Sequence, residues 1–223
     1  MNQYDDVTLT NKSKNINSDI ISRNNDGTIS IVINYGNKTK LRNLKLGNTF
    51  KIGDYEFIVI SQSYKYNTTS VILKDALYYG MFSDMHCECT NNYKKSLIRH
   101  KLNNDFLNDI SKYIGENNII KHKISLSFGN SKKSYGYCED KVSLLTLKEY
   151  EHFKKFIPPI NKYCYTSTPY LEYSNRHPDQ ELITAYSIKP DGNTTVQFLD
   201  FAISNYCRPF CILSSFIDVL STN

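Results

Sequence analysis

The spacing of apolar residues changes along this chain, and that change constrains the fold more than any other feature. Residues 28–35 alternate apolar and polar side chains, the pattern of a half-buried strand, and Gly36-Asn37 supplies turn chemistry behind it. Residues 48–52 and 55–60 alternate again across Gly53-Asp54, a two-residue spacing that predicts a hairpin. Val71-Ile72-Leu73 is an apolar run of strand length.

From Ser96 the period lengthens. Leu97, Ile98, Leu102, Phe106, Ile110 and Ile114 recur every three or four residues, so one helical face is apolar, and Gly115 stands where such a helix ends. A second helix opens on Thr146-Leu147-Lys148-Glu149, in which Thr146 and Glu149 can satisfy each other's free backbone N–H groups. Leu145 and Tyr150 fit a hydrophobic staple around it, and Pro158-Pro159 ends it.

Between the helices residues 119–127 read as extended, and after them so do 163–167, 182–188, 195–201 and 207–213. The turn Pro190-Asp191-Gly192-Asn193 should pair 182–188 with 195–201 antiparallel, and 207–213 should form the last core strand. Strands at both ends and two helices in the middle predict an α+β fold with a mainly antiparallel sheet. Residues 1–45 read as an N-terminal arm with one strand, and residues 46–223 as a single domain.

Charge and cysteine content narrow the function classes. The net charge of +5 comes from lysines scattered along the chain rather than from an arginine-rich stripe, which argues against nucleic acid as partner. No apolar run reaches the about 18 residues a membrane-spanning helix needs, and the polar start Met1-Asn2-Gln3-Tyr4-Asp5-Asp6 lacks a secretory h-region. The expectation is therefore a protein without membrane insertion, cytoplasmic or virion-associated, whose six cysteines are buried thiols.

No phosphate-cradling glycine loop, nucleophile elbow or HExxH motif is present, and no catalytic residue, metal site or cofactor is expected. Met85-His86-Cys87-Glu88-Cys89 is the densest metal-capable cluster. Cys207 and Cys211 could add a second pair, but on one strand they would stand about 13 Å apart, too far to share an ion. The alternative to a non-enzymatic module is a thiol- or metal-dependent enzyme using His86, Cys87 and Cys89, or Cys207. The stronger candidate is a binding surface. Residues 166–181 hold Tyr170, Tyr173, Arg176, His177, Asp179 and Gln180 with little aliphatic content, which reads as an exposed loop rich in the residue types that dominate binding hot spots.

The order of motifs resembles the DUF6273 family of low-GC Gram-positive bacteria and their phages. The resemblance rests on Leu46-Gly47-Asn48-Thr49-Phe50, on Gly53-Asp54-Tyr55-Glu56-Phe57, on the helix Ser96-Leu97-Ile98-Arg99-His100-Lys101-Leu102-Asn103, on Asp140-Lys141-Val142-Ser143, and on Arg208-Pro209 in the last strand. It spans about residues 46–215. It implies a C-type-lectin-like fold, also used by phage receptor-binding tips and formylglycine-generating enzymes, with Arg99, Asn103 and Arg208 as buried residues that hold the fold.

Where the family has a W-L-R-S-P segment this chain has Tyr165-Thr166-Ser167-Thr168-Pro169, so Tyr165 stands in the aromatic position and joins the candidate binding set. The abundance of Asn, Lys, Ile and Tyr codons and the absence of Trp agree with a low-GC origin. Together these features imply a phage- or prophage-encoded module that recognises a host protein or a cell-surface glycan, either as a virion component or as an inhibitor of an intracellular host factor.

Overall fold

The computed structural model describes residues 17–23, 29–34, 37–83, 90–199 and 204–222. The chain divides into two units between Lys38 and Thr39. In the first, β1 (Asn17–Arg23) and β2 (Ile29–Asn34) pair antiparallel; with Asn37–Lys40, residues 1–45 hold three strands among the described residues where the sequence read as one.

The second unit is mixed α+β, mostly antiparallel. One sheet of eight strands combines β3 (Asn37–Lys40), β4 (Thr49–Ile52), β5 (Tyr55–Ser63), β6 (Thr68–Leu73), β8 (Ile119–Ile120), β11 (Val142–Ser143), β16 (Phe210–Ser214) and β17 (Asp218–Ser221). A second sheet has the order β14-β13-β12-β15-β7, from β7 (Leu77–Gly80), β12 (Cys164–Tyr173), β13 (Glu181–Ile188), β14 (Thr194–Phe198) and β15 (Asn205–Cys207). A separate hairpin joins β9 (His122–Ser127) to β10 (Ser134–Asp140).

The central strands of the first sheet are apolar on both faces, which is why β5 and β6 contain the unbroken runs Phe57-Ile58-Val59-Ile60 and Val71-Ile72-Leu73. Phe57, Val59 and Val71 share a core with Ile98, Leu102, Phe106 and Ile110 of the long helix. Ile58, Ile60 and Ile72 share another with Leu145 and Tyr150 from the start of the second helix. Alternate side chains of one strand thus anchor the two helices separately.

The long helix runs as α1 (Leu97–Lys101), a π-helical turn at Leu102–Phe106, and α2 (Leu107–Ile114). Ser96 caps it by accepting from the Arg99 N–H at 3.0 Å, and Gly115 closes it at φ 76°, a conformation that disfavours any side chain. The capping box at the start of α3 (Leu147–Phe153) is formed. Thr146 Oγ1 accepts from the Glu149 N–H at 3.2 Å, and Glu149 Oε2 accepts from the Thr146 N–H at 2.8 Å.

The expected last strand at 207–213 is broken in two, and the halves belong to different sheets. β15 pairs with β7 and β12, whereas β16 pairs with β6, β8 and β11. The break falls at Arg208-Pro209, where proline has no N–H to continue a ladder. Arg208, 5% exposed, fixes the crossing. It donates from Nε to Leu73 O at 2.7 Å, from Nη2 to Lys74 O at 2.7 Å and from Nη1 to Pro158 O at 3.0 Å. Its guanidinium therefore ties the end of β6 to the segment that follows α3.

Candidate functional site

The segment 166–181 is a hairpin rather than a loop. β12 extends through Tyr173 and pairs with β13 from Tyr173↔Glu181 back to Cys164↔Ile188, which leaves only residues 174–180 as the turn. Low aliphatic content was no sign of exposure here, because Thr166, Ser167 and Thr168 are all buried. Thr166 Oγ1 donates to Tyr186 O at 2.7 Å and Thr168 Oγ1 accepts from the Leu147 N–H at 2.8 Å, so the two threonine hydroxyls are satisfied inside the protein.

The structure separates the candidate binding residues into three groups. Tyr165, 2% exposed, belongs to the core and corrects the expectation of an exposed ring. It stacks edge-on against Phe82 at 5.3 Å, donates to Gly80 O at 3.1 Å and accepts from the Asn205 N–H at 3.1 Å, and burial pushes its hydroxyl pKa up to about 12. Tyr170 lies midway along β12, its ring edge-on to Tyr186 at 5.3 Å. Tyr173, Arg176, His177, Asp179 and Gln180 gather, exposed, at the hairpin tip.

The tip is ordered from within. Ser174 Oγ accepts from the N–H groups of Arg176 and His177, both at 3.2 Å, the Ser174 N–H donates to Gln180 O at 2.9 Å, and the Gln180 N–H donates to His177 O at 2.8 Å. These bonds fix the turn with its own short side chain and backbone, so the five longer side chains are not consumed in holding it.

A cleft of about 320 Å³ opens beside the base of this tip. Leu171, Leu182 and Ile183 line it from the hairpin, Phe128 and Tyr135 from the β9–β10 hairpin, and Thr90, Asn91 and Asn92 from the segment before α1. Asn91, 6% exposed, joins these elements: its Nδ2 donates to Thr184 O at 2.9 Å and to Tyr170 O at 3.4 Å, and its Oδ1 accepts from the Tyr135 hydroxyl at 2.8 Å. Burial raises the Tyr135 pKa, so the phenol remains a donor at neutral pH.

The β9–β10 turn is clasped to β12 in a similar way. Asn130 donates through Nδ2 to Leu171 O at 2.8 Å and accepts through Oδ1 from the Leu171 N–H at 2.9 Å, which mimics one rung of a strand ladder. Gly129 faces Tyr186 so closely that a Cβ would meet the ring at 2.4 Å. At the rim, Lys133 and Glu181 form an exposed ion pair at 2.5 Å, and Phe128 and Tyr135 pack with ring centroids 5.1 Å apart. Aliphatic side chains, two aromatic rings, a buried amide and paired rim charges in one cleft suit reversible binding of a ligand with both apolar and hydrogen-bonding groups.

Groups suited to covalent chemistry lie elsewhere. Burial pushes the thiols of Cys138 and Cys164 up to about 11 and those of Cys207 and Cys211 higher still, so they are protonated at neutral pH. His122 Nε2 lies 2.9 Å from Ser143 Oγ, but Ser143 is 1% exposed on β11, out of reach of a substrate. Among the described residues no group of three His, Cys, Asp or Glu side chains could hold a metal ion. Met85-His86-Cys87-Glu88-Cys89 lies outside the described residues.

The three polar residues expected to hold the fold all bind backbone. Besides Arg208, Arg99 clamps Asp140 with Nε and Nη2, the shortest contact being 2.6 Å, and donates from Nη1 to Lys94 O. Its side chain is 30% exposed, less buried than the resemblance implies. Asn103 bridges the helix to β11, donating to Arg99 O and Val142 O and accepting from the Val142 N–H.

Asn91, Tyr135 and Phe128 line the cleft without having been candidates. One local signal pointed toward them: Phe128-Gly129-Asn130 has turn chemistry next to an aromatic residue. No family model, no curated protein and no solved structure matches this chain. No helix among the described residues is long and apolar enough to cross a membrane.

Proposed function

We propose that this chain is a non-enzymatic binding module that holds a segment of a host protein or glycan between the β12–β13 hairpin tip and the cleft at its base. The observation that carries this reading is the junction of two features on one hairpin. Tyr173, Arg176, His177, Asp179 and Gln180 are exposed on an internally braced turn, and Leu171 and Leu182 continue from it into a cleft backed by Asn91 and Tyr135. Exposed Tyr and Arg supply contact area and directional hydrogen bonds at low entropic cost when the turn that bears them is already fixed. The elevated thiol pKa values weigh against the alternative of a thiol enzyme working through Cys207.

The reading takes the chain as a phage- or prophage-encoded member of the DUF6273 family with a C-type-lectin-like arrangement of its antiparallel sheets. It draws support from the order of the sequence motifs and from the bracing roles of Arg99, Asn103 and Arg208. The module serves either as a virion component or as an inhibitor of an intracellular host factor.

The test is capture by the immobilised full chain, run separately on a soluble lysate and on purified cell-wall glycan from low-GC Gram-positive cells. The reading expects one of the two to yield a retained ligand that is lost with Tyr173→Ala/Arg176→Ala and with Leu182→Lys, each variant keeping the parental circular dichroism. Retention that ignores both variants, or no retention from either source, contradicts it.

A further inference from the structure

A second surface stands apart from the hairpin, at one end of the eight-stranded sheet. Three segments meet there: the β5–β6 turn, the turn between β16 and β17, and the short 3-10 helix Leu41–Asn43. The Ser215 N–H donates to Asn67 O at 2.9 Å, the Arg42 N–H to Ser215 O at 3.0 Å and the Leu41 N–H to Ile217 O at 3.0 Å. Gln62 adds a bond from Nε2 to Leu44 O at 2.9 Å, and Thr69 Oγ1 lies 2.8 Å from Ser215 Oγ. The end of the sheet is thus one braced platform rather than three independent turns.

What this platform displays is unlike an ordinary solvated edge. Tyr64 is 78% exposed, Tyr66 68% and Phe216 47%, all on turn tips. Cations sit on two of these rings: Arg42 lies 5.2 Å from the Phe216 centroid and Lys65 5.2 Å from that of Tyr66. Residues 40–46, 61–68 and 214–218 contain four cations, Lys40, Arg42, Lys45 and Lys65, against one carboxylate, Asp218, leaving a local charge of +3. That carboxylate is already paired with Lys40 at 3.0 Å.

Tyrosine and phenylalanine rings flanked by lysine and arginine, borne on the tips of adjoining turns, match the chemistry of a bilayer interface. Rings of this kind settle among headgroups and the cations face anionic lipid. A single-stranded nucleic acid would also engage cations and aromatic faces, but it is usually held in a groove that tracks its backbone, whereas these rings lie on the tips of turns. We infer that this end of the sheet docks peripherally on an anionic membrane surface.

The experiment is co-sedimentation of the full chain with phosphatidylcholine vesicles, with and without phosphatidylglycerol, at low and high salt. Alongside it runs fluorescence anisotropy with a labelled single-stranded oligonucleotide. Binding is expected to the phosphatidylglycerol vesicles alone and to fall as salt rises. Each of Arg42→Gln and Lys65→Gln should weaken it roughly fivefold. Tyr66→Ser/Phe216→Ser should weaken it with the charge unchanged, and because all four side chains are exposed, parental circular dichroism is expected of every variant. Equal binding to neutral vesicles, binding that ignores both sets of substitutions, or binding to the oligonucleotide with vesicles left in solution overturns the inference.

Discussion

The Tyr135 hydroxyl and the Asn91 side-chain oxygen meet at 2.8 Å behind the cleft, and through this contact the β9–β10 hairpin is tied to the segment that precedes the long helix. Asn91 passes the connection on to Thr184 O and Tyr170 O, so one buried amide sets the separation of the cleft's walls. Asn91→Ala leaves the Thr184 carbonyl and the Tyr135 hydroxyl short of a partner and should destabilise the chain by about 1–3 kcal/mol in urea denaturation. Tyr135→Phe removes only the donor and should cost less, about 1 kcal/mol. If Asn91→Ala unfolds at the parental midpoint, the amide does not organise the cleft.

Arg208 makes its three hydrogen bonds as a planar fork, a geometry that an ammonium group cannot reproduce. Arg208→Lys keeps the charge but strands at least one carbonyl at the crossing between the sheets, and a loss of about 2–4 kcal/mol is expected in the same measurement. An unchanged midpoint would show that Pro209 alone fixes the crossing.

His122 gives the chain a defined pH dependence. Burial holds its pKa below the ordinary 6.5 despite a hydrogen bond to Ile120 O, so the folded protein binds fewer protons at this site than the unfolded one. Its contribution to stability is complete above pH 6.5 and is lost as pH falls below that value toward the depressed folded pKa. Unfolding free energies measured between pH 8 and pH 5 should therefore fall toward acid, and His122→Phe should flatten part of that slope. An equal slope in the variant would move the effect to other groups.

The legible parts of this fold are those fixed by short stretches of chain. Thr146 and Glu149 form their capping box from three residues apart, Gly115 ends its helix within one turn, and Gly53-Asp54 joins β4 to β5 as the two-residue spacing required. The break at Arg208-Pro209 was not legible, because whether Cys207 and Cys211 lie on one sheet or two depends on β7 and β6, far away in the chain. Thr166 and Thr168 illustrate a related difficulty: a hydroxyl looks solvent-seeking until its buried carbonyl or N–H partner is known. The same distance hid the cleft, since Asn91 and Tyr135 are 44 residues apart and neither is unusual alone.

The most direct test of the binding reading is hydrogen–deuterium exchange of the full chain with and without the ligand it retains. The account predicts that protection on binding concentrates in residues 171–183, with weaker protection at 90–92 and 128–135, the walls of the same cleft. Protection absent from the β12–β13 hairpin and confined to another surface, such as 64–67 with 214–218, would contradict it.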